Sequence, residues 1–355
     1  MTGYFPSHLV EYVITQKCNM GCSYCFGCNK EMENVSIEKA DEITADIFYN
    51  KIRLIGGEPF LNMPAIEKVC QNLSDNSAFN DPRTIRISTN GTLIRKNIDI
   101  LKKLNVCLTI SLDGPKEIND IDRVYNDKSG SFNDVMDGIN LCIENDIPWD
   151  YAVTLSKNKL PHLLDTFIFI YELNKKMPGI KTVDGAIDKI VNSANIITNM
   201  DIDDNDINIF LAQQYSIFEY IISMDLTFAQ QKRLCTNWFK KAVAPEWKCD
   251  GSTGKMALAE NDLMYPCLAL ALDTTDNNYH TYKIHDVFID YNFNETTFSS
   301  NIDRNSSKYA YWYNTCAAHN LSSGSSVFYQ NCKFNLMIDE YNRFVDELFS
   351  YYGII

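Results

Sequence analysis

The stretch "LVEYVITQKCNMGCSYC", residues 9–25, predicts a β-strand that runs directly into a loop of three cysteines. Residues 9–15 are mostly aliphatic or aromatic, which is typical of a strand. Cys18, Cys22 and Cys25 follow with the spacing Cys-x3-Cys-x2-Cys. Three thiolates this close can wrap one corner of an iron–sulfur cluster and leave one iron open to a small molecule. The plain alternative is a zinc knuckle, which needs four ligands and would have to recruit Cys28.

Composition narrows the class of protein. The chain has 355 residues, of which 45% are hydrophobic and 22% charged, as in ordinary globular proteins. Its formal net charge of −14 argues against a nucleic-acid partner, because binding to phosphate needs Lys and Arg. The apolar runs are shorter than the roughly 20 residues that span a bilayer, and the N-terminus does not resemble a signal peptide. We therefore expect a cytoplasmic protein with no membrane association.

The chain divides into two parts of different pattern. In residues 1–195, short β-rich runs alternate with helical patterns, and this predicts an α/β domain on a parallel sheet, either open or curled into a barrel. The predicted strands are residues 9–15, 51–55, 84–88, 106–112 and 150–156. Residues 196–355 predict a helical linker, a cysteine-bearing segment rich in Asn, Ser and Tyr, and an amphipathic C-terminal helix.

Four further motifs follow the cysteine loop in order. They are "GGEP" (56–59), "STNGT" (88–92), "SLDGP" (111–115) and "INDIDR" (118–123), and the first three each lie at the end of a predicted strand. Together with "CNMGCSYC" they resemble the radical S-adenosylmethionine (SAM) enzymes. The resemblance implies a partial (β/α)6 TIM-like barrel whose site lies at the carboxyl ends of the parallel strands, where ligands also bind on general grounds.

The resemblance also implies two cofactors. Cys18, Cys22 and Cys25 would hold a 4Fe–4S cluster through three protein ligands, and Cys28 would stay off it because a fourth thiolate would occupy the open iron. SAM would bind that iron. Its predicted contacts are Tyr24, Gly56, Gly57, Glu58, Ser88, Asn90, Ser111, Asp113 and Arg123.

Simple chemistry supports several of these contacts. The glycines of "GGEP" let the backbone approach the ammonium of SAM closely, and Glu58 offers a carboxylate opposite its charge. Arg123 suits the carboxylate of SAM as a bidentate partner. Short polar side chains at Ser88, Asn90 and Ser111 suit ribose hydroxyls or the amino acid end. Turn formation is the alternative for Ser88 and Asn90, and Asp113 is either a supporting residue or a turn residue.

The reaction implied by the resemblance is reductive cleavage of SAM to methionine and a 5′-deoxyadenosyl radical, which abstracts hydrogen from a substrate carbon. The cofactor carries the difficult step, and the protein binds, orients and excludes water. An electron donor such as flavodoxin or ferredoxin is implied as a partner. The sequence identifies no catalytic base.

The remaining cysteines form two groups. Cys70, Cys107 and Cys142 stand in apolar settings and are predicted core residues. Residues 249–267 and 316–332 resemble parts of the SPASM or twitch extension of this superfamily. The late cysteines are too few for the two clusters of a full SPASM domain, so we expect one auxiliary 4Fe–4S cluster, with a structural zinc as the alternative. Its candidate ligands are Cys235, Cys249, Cys267, Cys316 and Cys332.

Such extensions point to a peptide or small protein as substrate. The leading hypothesis is a maturase that forms a thioether or carbon–carbon crosslink in a ribosomally synthesised peptide. Because the first strand begins almost at once, we expect no N-terminal leader-binding domain. The alternatives are an anaerobic sulfatase-maturing (formylglycine-generating) enzyme, which the single auxiliary cluster disfavours, and a small-molecule dehydrogenase. An inactive scaffold is disfavoured by the intact Cys18, Cys22, Cys25, Glu58 and Arg123.

Overall fold

A computed structural model describes ten segments of the chain. They are residues 9–25, 34–45, 51–177, 179–190, 194–196, 203–239, 256–258, 263–265, 282–283 and 332–353. The described residues belong to two compact units. The first draws on Met1–Leu112, Asp122–Tyr151 and Lys248–Asn301, and the second on Asp113–Ile121, Ala152–Trp247 and Ile302–Ile355. The auxiliary-cluster segment predicted for the late part of the chain lies largely outside the described residues.

Strands and helices alternate through the first half of the chain. The strands are β1 (Leu9–Thr15), β2 (Lys51–Gly56), β3 (Ile85–Thr89), β4 (Cys107–Ser111), β5 (Trp149–Leu155), β6 (Ala194–Ile196), β7 (Met256–Leu258), β8 (Leu263–Tyr265) and β9 (Tyr282–Lys283). The helices are α1 (Ile37–Ala45), α2 (Met63–Ser74), α3 (Ile94–Leu101), α4 (Lys116–Asp122), α5 (Phe132–Glu144), α6 (Leu163–Asn174), α7 (Val183–Lys189), α8 (Asp204–Ser223), α9 (Phe228–Trp238) and α10 (Cys332–Tyr351).

The first unit is built on a parallel sheet. β1 pairs with β2, β2 with β3 and β3 with β4, so the carboxyl ends of these four strands lie along one edge. On its other side β1 pairs in parallel with β7, which continues antiparallel into β8 and β9. The predicted α/β fold with parallel strands is confirmed.

Alternating side chains of these strands form the core of the first unit. Tyr12, Ile14, Leu54, Ile87 and Leu108 are fully buried. Helices α1 and α2 pack on each other, as do α3 and α5. The three cysteines predicted to be core residues, Cys70, Cys107 and Cys142, are all buried. Cysteine packs there as a small apolar side chain.

Among the described residues, the second unit contains most of β5, which pairs in parallel with β6, most of α4, and helices α6 to α10. The predicted C-terminal helix is present as α10, and it packs on α8 through aromatic side chains. Ring centroids are 5.6 Å apart for Phe210 and Tyr341 and 4.5 Å apart for Tyr215 and Phe344. Edge-to-face packing of Phe167 on Trp238, at 4.8 Å, joins α6 to α9. None of the helices that the structure describes is long and apolar enough to span a membrane.

A buried ion pair lies at the centre of the second unit. Asp113 and Lys159 pair with side chains that are 0% and 1% exposed. The other oxygen of Asp113, Oδ1, accepts a hydrogen bond of 2.8 Å from the backbone N–H of Thr154 in β5. The Thr166 hydroxyl in α6 donates to the Asp113 carbonyl at 3.1 Å. Asp113 therefore joins β5, α6 and the turn that carries Lys159, a structural role that explains why an acid stands in "SLDGP".

Removing one member of this pair should destabilise the protein strongly. D113N leaves the ammonium of Lys159 buried without its counter-charge, and such a loss costs about 3–5 kcal/mol in the free energy of unfolding. The double variant D113N/K159M should recover part of that loss. K116M, which breaks the more exposed pair of Lys116 with Asp120, is the control and should cost less than about 1 kcal/mol. Urea unfolding measures all four proteins, and equal costs for D113N and K116M would contradict the structural role.

Candidate functional site

The motif residues gather at one edge of the parallel sheet. The cysteine loop follows β1, Gly56 ends β2 and Gly57 comes directly after it, and Asn90 follows β3. Because parallel strands present their carboxyl ends on the same edge, motifs far apart in sequence meet there. The first unit thus brings together the cysteine loop, "GGEP" and "STNGT", as the sequence predicts.

The glycines of "GGEP" permit a very close approach between two backbone segments. Gly56 has φ = 144°, and a Cβ at this position would lie 1.9 Å from the carbonyl oxygen of Thr15. A Cβ on Gly57 would lie 2.3 Å from the carbonyl oxygen of Lys17. The backbone N–H groups of Gly57 and Glu58 donate to these same carbonyls, each at 2.8 Å. The end of β2 is therefore fixed against the chain that enters the cysteine loop, and no other residue type fits.

Glu58 is fully buried, and protein groups bind both of its oxygens. Its Oε1 accepts from the Thr89 hydroxyl at 2.8 Å and from the backbone N–H of Phe60 at 3.1 Å. Its Oε2 accepts from the backbone N–H of Asn90 at 2.7 Å. Burial raises the pKa of the Glu58 carboxyl to about 7, although the three hydrogen bonds oppose that shift. The carboxylate thus fixes the end of β3, a role that the sequence did not reveal.

Three side chains form a closed ring of hydrogen bonds between "STNGT" and the cysteine loop. Asn90 Nδ2 donates to Asn19 Oδ1 at 2.9 Å, Asn19 Nδ2 donates to Thr92 Oγ1 at 2.9 Å, and Thr92 Oγ1 donates to Asn90 Oδ1 at 2.7 Å. Asn90 Nδ2 also lies 3.9 Å from the sulfur of Cys18. Asn19 and Thr92 are site residues that the sequence analysis missed; their only signal is a short polar side chain inside a motif.

The segment after α4 holds the other side of the cysteine loop. Gly21 N–H donates to the Val124 carbonyl at 2.9 Å, and Ser23 N–H donates to the Asp122 carbonyl at 3.2 Å. Two predicted SAM contacts also meet here, because the guanidinium of Arg123 lies 5.4 Å from the ring centroid of Tyr24. Arg123 is buried, and its contact with the ring is a cation–π interaction. The loop is thus fixed from two sides.

The three cysteines of the loop form no disulfide, and their sulfurs are electrostatically coupled. Cys18 and Cys22 are half-buried and Cys25 is exposed. Burial raises the pKa of the Cys18 thiol to about 11, and the charges of Glu58, Cys22 and Cys25 add to the shift. Among the described residues no three acidic, His or Cys side chains are already close enough to hold a single metal ion. Three reduced cysteines in one braced loop fit an iron–sulfur cluster, which is larger than a single ion and would draw the thiolates together.

The other predicted site residues lie near the carboxyl ends of β3 and β4, in the second unit or outside the described residues. Ser88 and Ser111 are half-buried in β3 and β4, and Asp113 is engaged by Lys159 in the second unit. Cys235 is buried in α9, and burial raises the pKa of its thiol to about 12. Cys332 is the first residue of α10. Cys28, Cys249, Cys267 and Cys316 lie outside the described residues.

The raised pKa of Glu58 predicts a pH-dependent stability. Its folded pKa of about 7 exceeds the ordinary value of 4.5, so the fold favours the protonated acid. The corresponding stabilisation is complete below pH 4.5 and is lost as the pH rises through about 7, a change of roughly 3 kcal/mol at 1.36 kcal/mol per pKa unit. As the pH rises through this window, the unfolding free energy of wild type should therefore fall relative to that of E58Q. E67Q, at an exposed position, is the control, and parallel pH curves for wild type and E58Q would contradict the prediction.

Comparison with known proteins agrees with this geometry. Residues 12–170 match the model of the Radical SAM superfamily. An uncharacterized protein of Methanocaldococcus jannaschii is 35% identical over 162 residues, which are 44% of this chain and 55% of that protein. A cysteine-type anaerobic sulfatase-maturating enzyme of Clostridium novyi is 28% identical over 163 residues, 42% of this chain and 44% of that protein. The chain spans about half the length of the curated relatives it matches.

Solved structures share the fold over a longer part of the chain. The structure of anSMEcpe with bound AdoMet and Cp18Cys peptide aligns with a TM-score of 0.66 and 17% identity, over 98% of this chain and 99% of that one. Streptococcus suis SuiB bound to its precursor peptide SuiA aligns with a TM-score of 0.59 and 13% identity, over 92% of this chain and 75% of that one. At these identities the likeness shows the fold alone, and it confirms the predicted partial (β/α)6 barrel.

The cysteine loop, the strand-end motifs and the family match all fall within one continuous part of the chain. That part of the chain, residues 12–170, matches the radical SAM superfamily.

Proposed function

We propose that this chain is a radical SAM enzyme that acts on a peptide, and that it forms a thioether or carbon–carbon crosslink in a ribosomally synthesised peptide. The observation that carries the proposal is the cysteine loop. Three reduced cysteines with the spacing Cys-x3-Cys-x2-Cys lie at the carboxyl edge of a parallel sheet, where backbone and side-chain hydrogen bonds brace the loop from two sides.

Cys18, Cys22 and Cys25 would hold a 4Fe–4S cluster and leave one iron for SAM. When bound, this cluster supplies the electron that cleaves SAM to methionine and a 5′-deoxyadenosyl radical. The protein's part is to hold SAM against the open iron and to keep water away. Cys18 and Cys22 are half-buried, so as cluster ligands they would be partly shielded from bulk water.

The remaining motif residues have distinct parts in SAM binding. The backbone at Gly56 and Gly57 would approach the amino acid end of SAM, and Arg123 would bind its carboxylate. Tyr24, which contacts Arg123, would keep the guanidinium oriented. Glu58 would act without direct contact, because its oxygens already bind protein donors. The positive ammonium of SAM would favour the ionised form of this carboxyl. Ser88 and Ser111 remain candidates for ribose hydroxyls.

An auxiliary 4Fe–4S cluster completes the proposal. Cys249, Cys267 and Cys316 are its proposed ligands, with Cys235 or Cys332 as the fourth. The burial of Cys235 against Tyr352 favours Cys332, because Cys235 would have to leave an apolar helix contact to reach a cluster. An electron donor such as flavodoxin or ferredoxin would reduce the enzyme.

A peptide substrate is supported by the two structural neighbours described above, each of which is solved with a bound peptide. One observation favours a second candidate, an anaerobic sulfatase-maturing enzyme. The alignment to anSMEcpe extends over nearly the whole of both chains, and the Clostridium novyi relative carries that activity in its name. The small number of late cysteines argues for the crosslinking enzyme instead.

Substitution of the loop cysteines separates three cluster ligands from one bystander. C22A should abolish SAM cleavage and lower the iron content, because a cluster with two protein thiolates is not retained. C28A should leave both nearly unchanged. The measurements are 5′-deoxyadenosine formed by the dithionite-reduced, reconstituted protein and iron per chain. Equal damage from C22A and C28A would show that the fourth cysteine is a ligand.

Mass spectrometry of the product distinguishes the two candidate reactions. A crosslinked peptide loses two hydrogens and does not react with a hydrazine probe. A formylglycine product carries an aldehyde that the hydrazine labels, whether it arises from Ser or from Cys. We expect the unlabelled, hydrogen-depleted product from a Cys-containing peptide encoded beside this chain, and labelling would favour the sulfatase-maturing alternative.

A further inference from the structure

The ring of Asn19, Asn90 and Thr92 links the turn after β3 to the residue next to Cys18. Each bond in the ring is 2.7–2.9 Å long, and each side chain both donates and accepts within it. No side chain in this ring can rotate freely, because rotation of any one of them breaks two hydrogen bonds. The turn and the cysteine loop are therefore held as one piece.

The direction of the Asn90 carboxamide is fixed by its backbone surroundings. The N–H of Thr92, which can only donate, lies 3.0 Å from Asn90 Oδ1. The oxygen of the carboxamide must therefore face Thr92, and the NH₂ group must face the cysteine loop. Its two hydrogens serve Asn19 Oδ1 at 2.9 Å and the sulfur of Cys18 at 3.9 Å. Asn90 is thus an oriented donor toward one cysteine of the loop.

The backbone that carries Asn90 is also held in place by hydrogen bonds. Glu58 accepts from the backbone N–H of Asn90 and from the Thr89 hydroxyl, and Thr89 Oγ1 in turn accepts from the N–H of Gly91 at 3.0 Å. The backbone that carries Asn90 cannot retreat from the cysteine loop without exposing these buried polar groups, which is costly. The polar atoms of the Asn90 side chain are fully used within the protein, which leaves little capacity for ribose hydroxyls.

We propose that Asn90 is a positioning residue for Cys18 rather than a contact of SAM: its carboxamide holds the cysteine loop through Asn19 and Thr92 and donates to the Cys18 sulfur. The proposal rests on the proposed function, because it assigns this sulfur to the cluster. An N–H donor to a cluster sulfur stabilises the more negative, reduced state and raises the reduction potential. Asn90 therefore acts on how firmly the cluster is held and on how easily it is reduced.

Two variants separate these effects. N90A removes both donors and should make the midpoint potential of the reconstituted cluster more negative. T92V removes the hydroxyl of the ring but keeps the Asn90 amide beside Cys18. It should speed the loss of iron to a chelator while shifting the potential less than N90A. N105A and T84V are matched controls, because both side chains donate to backbone carbonyls of residues 79–81, which precede β3. Both variants should behave as wild type.

The measurements are iron and sulfide per chain, midpoint potential by redox titration, the rate of iron loss to a chelator, and thermal unfolding of the apoprotein. The inference would be overturned if wild type and N90A both take up the cluster and have identical midpoint potentials and identical rates of iron loss. If N90A does not fold, T92V provides the test instead. Loss of iron from T92V at the wild-type rate would then overturn the inference. A wild-type protein that takes up no cluster would instead refute the proposed function, so the two failures are distinguishable.

Discussion

The buried carboxylate of Glu58 is the constraint on which the candidate site depends. It lies at the carboxyl edge of the sheet with no exposure to solvent, and it accepts hydrogen bonds from Phe60, Thr89 and Asn90. A carboxylate in such a place is unfavourable unless donors surround it, and here the donors are the ends of two neighbouring strands. The acid therefore holds the end of β2 and the end of β3 in register at the edge where the cysteine loop lies.

The cysteine loop shows how two distant segments define one site. The turn after β3 reaches it through Asn90 and Thr92, and the segment after α4 reaches it through backbone hydrogen bonds from Gly21 and Ser23. A loop of three cysteines has no regular hydrogen-bonding pattern of its own, so its shape must be imposed by neighbours. Bracing from both sides orders the backbone of the loop before any cluster arrives, which lowers the cost of ordering its thiols around a cluster.

The sequence predicted the fold class well because the pattern of alternating strands and helices is local, and the motif order located the site edge because parallel strands end together. It did not reveal the tertiary contacts of individual side chains. Glu58 and Asp113 have the same chemistry as ligand-binding acids, yet one fixes a strand end and the other pairs with Lys159. Asn19 and Lys159 carried no signal because the partner of each lies dozens of residues away in sequence. Which late cysteines act together cannot be inferred from spacing, since ligand geometry is set by the folded chain.

We propose that Cys18, Cys22 and Cys25 hold a cluster with an iron open to SAM. Electron paramagnetic resonance of the reduced, reconstituted protein tests it most directly, because a ligand on the open iron changes the spectrum of that cluster, whereas a fully protein-ligated auxiliary cluster would give the same signal with and without SAM. SAM should shift part of the signal, and this part should be missing in C22A. A spectrum that SAM leaves unchanged in wild type would contradict it.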